Sequence, residues 1–324
     1  MASRADVYTV YTPNLVTFAT VSVDDVLRAI SMSPSKQCPS DPLPTWLLKK
    51  CAFNVASFIT RILNLSLTGG DFPSPWKHAI ATPLLKKAGL DDSIVSSYRP
   101  DSNLSHLSKI LERMVHRQVI SHLEEFKLLP DFQSAYRRGH STETAVLKVY
   151  SDLIDAISNG KFVLLSLLDL TVAFDTVDHN ILLHHLETTF GFRGVPLQWM
   201  CSYLDGRTQS ILLGGKSTAD NNQLYSSCKQ HGCAALKSIR INCVESIGEW
   251  MSSNRFILNP SKSKFMRCAS QRRMHLIDRS AIVLPDGLVN VSLSLRNLGA
   301  YFDESMSMTE HRNHLVHSCF NQLR

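Results

Sequence analysis

The segment Phe162-Val163-Leu164-Leu165-Ser166-Leu167-Leu168-Asp169 constrains the fold of this 324-residue chain more than any other. An apolar run from Phe162 to Leu168 predicts a buried strand. The strand delivers a carboxylate, Asp169, at its end. Phe174 follows five positions later, then Asp175 and Asp178. A carboxylate held at a strand end beside an aromatic ring can place a hard cation next to a bound substrate. Taken alone, Asp169 also reads as a solvated or capping carboxylate, and Phe174 as ordinary core. Asp175 and Asp178 read as groups that orient the backbone rather than as metal ligands.

Composition narrows the surroundings of this strand. A chain of this length can bury a substantial core in roughly one to three domains. With 44% hydrophobic and 19% charged residues it is an ordinary globular sequence, not a disordered one. A net charge of +6, from 34 basic and 28 acidic residues, suits a polyanionic partner. Eight cysteines are scattered with no secretion signal, which predicts reduced thiols in cytoplasm or nucleus and a protein that is not secreted. No apolar run reaches the ~18 residues that span a bilayer, so no membrane association is expected.

Residues 41–70 predict helix, opened by Pro42 and Pro44. Ala79 to Leu85 predicts a strand that ends in Lys86-Lys87. Leu104, Leu107, Ile110, Leu111, Met114, Val115 and Val119 fall at three- and four-residue steps, which predicts a helix over 104–126. Ser141 caps a second helix that ends before Gly160. Further helices are expected at 179–190, closed by Gly191, at 196–204, and through Leu236, Ile239, Cys243, Ile247 and Trp250. Arg207 to Leu213 predicts a strand, and Pro285-Asp286-Gly287 a hairpin turn. Residues 1–40 are mixed. Strands and helices that alternate without a linker predict one continuous α+β body with subdomains.

Several blocks then occur in a telling order. Asp41-Pro42-Leu43-Pro44-Thr45-Trp46-Leu47-Leu48, Phe72-Pro73 to Trp76-Lys77 and Pro83-Leu84-Leu85-Lys86-Lys87 come first. Ser97-Tyr98-Arg99-Pro100-Asp101-Ser102-Asn103-Leu104, Gln133-Ser134-Ala135-Tyr136-Arg137 and His140-Ser141-Thr142-Glu143-Thr144-Ala145 follow. After the Asp169 motif come Leu258-Asn259-Pro260-Ser261-Lys262 and Asn297-Leu298-Gly299 to Phe302-Asp303. Together with Leu168-Asp169 to Phe174-Asp175, this series resembles the reverse transcriptase domain of non-LTR (LINE-type, jockey-like) retrotransposons. The resemblance implies a right-hand polymerase with fingers, palm and thumb. Its implied divisions are an N-terminal extension (1–40), a fingers-like region (41–160), a palm-like region (161–270), and the palm end with the start of a thumb (271–324) that stops short.

The chain departs from that family at its centre. The family carries Gly-x-Pro-Gln-Gly after the strand represented by Arg207 to Leu213, and no such motif occurs here. The family's Tyr-Ala-Asp-Asp is here Thr218-Ala219-Asp220-Asn221. Asp169 and Asp220 stand 51 positions apart. The family's spacing is longer, by roughly 35 residues, enough for a strand and its loop. An internal deletion near 210–220 and an incomplete palm sheet are therefore expected.

The resemblance implies RNA-directed DNA polymerase activity by two-metal nucleotidyl transfer, with Mg²⁺ or Mn²⁺ ions roughly 4 Å apart. Asp169, the Leu170 carbonyl, Asp220 and Asn221 would be metal ligands, and Asn221 brings one negative charge fewer than the family's Asp. Phe174 would pack under the sugar and exclude a 2′-hydroxyl. Lys86 and Arg99 would pair with triphosphate oxygens, Arg137 would touch the template backbone, and Lys262 would protonate the leaving pyrophosphate. The implied partners are an RNA template, a DNA primer and deoxynucleoside triphosphates. Without the family context, Lys86-Lys87 and Lys262 read as solvated lysines and Arg99 as a salt-bridge partner. The central shortening makes the expected outcome an inactive or nearly inactive polymerase. The alternatives are a remnant that only binds nucleic acid, or an intact polymerase whose gene was read with a false intron. Cys228-x-x-His231-x-Cys233 offers three clustered ligands and no regular fourth, so no zinc is expected. The histidines, including His311, His314 and His317, read as surface residues.

Overall fold

The computed structural model describes residues 13–36, 38–170, 177–213, 216–217, 222–223, 250–256, 259, 261–277, 280, 282–284 and 287–322. The elements run α1 (Val23–Met32), α2 (Thr45–Lys50), α3 (Ala52–Gly69), β1 (His78–Leu85), β2 (Tyr98–Asn103), α4 (His106–Glu125), α5 (Thr142–Ser158) and β3 (Val163–Leu167). They continue α6 (His179–Thr188), α7 (Gly194–Leu204), β4 (Thr208–Leu213), β5 (Lys216–Ser217), β6 (Asn222–Gln223) and β7 (Lys264–Cys268). Then come β8 (Ile282–Leu284), β9 (Gly287–Val289), β10 (Ser294–Asn297), β11 (Ala300–Asp303) and α8 (Thr309–Gln322). The class is α+β with small sheets, as the alternation predicts. No helix among the described residues is long and apolar enough to cross a membrane. The chain divides into two units, Met1–Leu129 with His179–Ser227, and Pro130–Asp178 with Cys228–Arg324.

The first unit is built on helices whose ends are chemically marked. Ser22 caps α1 reciprocally: its hydroxyl accepts from the Asp25 N–H, and the Asp25 carboxylate accepts from the Ser22 N–H, both at 3.1 Å. The Ser22 hydrogen bonds hold the Asp25 carboxyl below its ordinary value, and Arg28 and Arg117 assist. The helical stretch expected over 41–70 breaks at Cys51 into α2 and α3. It ends where Gly70, at φ 73°, donates its N–H to Ser66. In α4, the buried Ile110, Leu111, Met114 and Val115 are the face given by the spacing. They join Ile59, Leu63 and Leu67 of α3 and Trp199 of α7 in one core. Trp199 is buried with its indole N–H on Ser66 Oγ at 3.0 Å, so its one polar atom is satisfied.

The sheet of this unit has the order β2-β1-β4-β5, with β6 also on β4. β1 and β2 are antiparallel, Leu84 facing Arg99, whereas β1 and β4 are parallel, Ile80 facing Ser210. Arg207, just before β4, stacks 4.3 Å above the Tyr203 ring and lies 3.9 Å from the Glu112 carboxylate of α4. Glu112 also accepts from Tyr203 Oη at 3.2 Å and Ser108 Oγ at 3.3 Å. Burial nonetheless pushes the Glu112 carboxyl above its ordinary value, with Arg207 pulling the other way.

In the second unit, β3 pairs antiparallel with β7, from Val163 opposite Cys268 to Leu167 opposite Lys264. Val163, Leu165 and Leu167 pack with Leu153 and Ile157 of α5, Met266 and Cys268 of β7, and Leu295 and Phe302 of the β10–β11 hairpin. The expectation of a buried β3 needs correction. Phe162 is 54% and Leu164 43% exposed, because α5 and the hairpin cover the face that carries Val163, Leu165 and Leu167. Burial, with Glu304 and Asp303, raises the Cys268 thiol to about 12, so it is an inert core group. The hairpin expected around Pro285-Asp286-Gly287 is formed by the β8–β9 ladder, in which Gly287 belongs to β9 and faces Leu284. Its Pro285 and Asp286 lie outside the described residues, as do the residues before Trp250 in the helix expected there.

Glu112 gives a signed pH prediction. The folded state holds its proton more tightly than the unfolded state, so this group's contribution to stability falls as pH rises above its ordinary value of 4.5. Glu112→Gln has no such proton. Its melting temperature minus that of the unsubstituted chain will increase with pH from 4.5 upward. The opposite slope would mean that pairing with Arg207 outweighs desolvation.

Candidate active site

The β3–β7 ladder ends with Leu167 opposite Lys264. Asp169 and Lys262 lie just past that end and meet through their side chains. Lys262 Nζ is 3.4 Å from Asp169 Oδ2, with the side chains 69% and 47% exposed. Asn259 makes this meeting possible. Its N–H donates to the Asp169 carbonyl at 2.8 Å, closing the end of the ladder. Its own carbonyl accepts from the N–H of Lys262 at 3.2 Å and of Ser263 at 2.9 Å. Its side-chain Oδ1 accepts from Ser261 Oγ at 2.7 Å and the Lys262 N–H at 3.3 Å. The result is an Asx-type turn that reverses the chain into β7 and presents Lys262 to Asp169. Residues 258–262 form one of the blocks on which the resemblance rests, but pattern alone assigns no role to Asn259. An Asn three positions before a Lys, ahead of a strand, is the available signal.

Asp178 is buried and pairs with Arg255, which ties the chain after the Asp169 motif to the segment that leads into Asn259. Arg137, half-buried, donates to the carbonyls of Pro130 at 3.0 Å and Asp131 at 3.4 Å, bracing its own loop. Phe174, Asp220 and Asn221 lie outside the described residues, as do Cys228, His231 and Cys233. The geometry expected between Asp169 and Asp220 therefore lies outside them too.

In the first unit, the β1–β2 register assembles a second group. Arg99 faces Leu84 across the ladder, and the Lys86 N–H donates to Ser97 at 2.9 Å just past the strand end. Lys86 and Arg99 are thus diagonal neighbours on one face of the hairpin, and both are exposed. Asp101, opposite Thr82, is on the same face.

For a metal, the described donors are the Asp169 carboxylate and the Leu170 carbonyl. Both are hard oxygens, the right chemistry for Mg²⁺ or Mn²⁺. Among the described residues, no group of three or more His, Cys, Asp or Glu is placed to hold a metal ion. His314 on α8 instead stacks on Tyr301 at 3.8 Å between ring centres.

A family model described as reverse transcriptase (RNA-dependent DNA polymerase) matches residues 85–234. That span takes in Lys86, Arg99, Arg137 and Asp169, whereas Lys262 lies beyond it. The chain is 30% identical over 190 residues to the probable RNA-directed DNA polymerase from transposon BS of Drosophila melanogaster, covering 58% of this chain and 20% of that protein. It is 30% identical over 198 residues to the RNA-directed DNA polymerase from mobile element jockey of the same organism, covering 60% and 21%. The X-element polymerase aligns at 26% over 199 residues, covering 61% and 22%. Residues 85–234 therefore carry a reverse transcriptase domain, similar to those of the BS and jockey mobile elements. The chain spans about a fifth of the length of these curated relatives.

The Asn259 turn yields a direct prediction. Asn259→Ala removes two side-chain hydrogen bonds and will lower stability by about 1 kcal/mol. A shifted denaturant midpoint with unchanged slope would register this; an unchanged midpoint would mean the turn holds without the side chain.

Proposed function

We propose that this chain is the fingers and palm portion of an RNA-directed DNA polymerase from a mobile element, and that in this form it synthesises little or no DNA. The observation that carries the polymerase reading is the Asp169–Lys262 pairing at the end of β3, held by Asn259. It joins two separate blocks of the resemblance at one point. In this reading Asp169, the Leu170 carbonyl, Asp220 and Asn221 hold Mg²⁺ or Mn²⁺, which when bound supplies charge neutralisation at the reacting phosphates. Lys86 and Arg99, side by side on their hairpin face, bind triphosphate oxygens. Phe174 packs under the sugar, Arg137 contacts the template backbone, and Lys262 gives up a proton to the pyrophosphate. The substrates are an RNA template, a DNA primer and deoxynucleoside triphosphates.

Two features support the loss of activity. The sequence lacks Gly-x-Pro-Gln-Gly, and Asn221 stands where the family has a second Asp. Misplacement of a catalytic group by about 1 Å can cost ~100-fold in rate. Primer extension on an RNA template with Mg²⁺ or Mn²⁺, using folded protein and an Asp169→Ala control, tests the proposal. The expected result is no extension above the control. Synthesis that disappears in Asp169→Ala would overturn the inactivity and leave the polymerase reading in place.

A further inference from the structure

Asp169 is already paired. Its carboxylate faces a lysine whose backbone is fixed by two hydrogen bonds to Asn259, while Asn259 is itself bonded to the Asp169 backbone. The Lys262 ammonium is thus delivered to Oδ2 by the turn rather than reaching it by chance. Both side chains are substantially exposed, so water screens the pair and keeps it breakable. An ammonium and a divalent cation both seek the carboxylate oxygens, and they repel each other at this range.

We infer that Lys262 is the resident counter-ion of Asp169, and that a divalent cation binds this carboxylate only by displacing the lysine ammonium. This rests on the reading of Asp169 as a metal ligand and adds a competitor to it. The lysine ammonium swings into water as the cation enters. Its charge sets how much cation is needed. When no cation is bound, the pair keeps Asp169 compensated, so the strand end does not depend on metal for its integrity.

The test is a Mn²⁺ titration of the full chain at low ionic strength, with free Mn²⁺ followed by electron paramagnetic resonance. The unsubstituted protein, Lys262→Met, Lys262→Gln and Asp169→Asn are compared, each checked for folding by circular dichroism. The expected result is an Asp169-dependent site that tightens by about two- to fivefold in Lys262→Met and Lys262→Gln. Added NaCl will shrink that difference, because it screens the pair. If Asp169→Asn abolishes the site but neither Lys262 variant tightens it, the competition is refuted while the metal reading survives. If Mn²⁺ binding is the same in Asp169→Asn as in every other form, the metal reading fails and the inference fails with it.

Discussion

The hydrogen bond from the Asn259 N–H to the Asp169 carbonyl, 2.8 Å long, joins the two chains just past the end of the β3–β7 ladder. Without it the chain after Leu167 and the chain before Lys264 would be free to splay apart. With it, the candidate side chains Asp169 and Lys262 are held close enough to pair. A slip of one residue in this pairing would turn every side chain to the opposite face and separate Asp169 from Lys262. The slip is opposed by the core: Val163, Leu165 and Leu167 match Cys268 and Met266 on the face covered by α5 and the β10–β11 hairpin. Packing at one end of the ladder therefore sets the electrostatics at the other.

The first unit solves a comparable problem with aromatic packing. Trp199 and Tyr203 of α7 stack, and Phe72 meets both edge-on. Arg207 covers Tyr203 and reaches Glu112, which couples α7 and the start of β4 to α4. β4 then supports β1 by parallel pairing, and β1 supports β2. Lys86 and Arg99 come to share a face at the far side of that chain of contacts. Their proximity depends on an antiparallel register that bridges the connection between residues 85 and 98.

Local signals made much of this legible in the sequence. The α4 stripe and the Ser141 cap of α5 are written in neighbouring residues, and both helices form as read. Within the mixed stretch 1–40, Ser22 with Asp25 three positions later is an equally readable capping signal for α1. A fully buried β3 is not legible, because an unbroken apolar run looks the same whether one face or both are covered. The parallel pairing of β1 with β4 was not legible, since it joins residues about 130 positions apart with no local mark. Motif order singles out Asp169 and Lys262 as candidates, whereas their contact, and the part Asn259 plays in it, depend on the turn between residues 259 and 263.

Cross-linking of β3 to β7 tests this account most directly. Val163 faces the native Cys268 in the ladder, and Leu164 points to the other face. The chain with Val163→Cys, refolded in a glutathione redox buffer, should form a disulfide between position 163 and Cys268 that peptide mass mapping identifies. The Leu164→Cys chain should not. A disulfide to Cys268 in the Leu164→Cys chain and none in the Val163→Cys chain would mean a register slipped by one residue. That result would remove Lys262 from Asp169 and contradict the site as described.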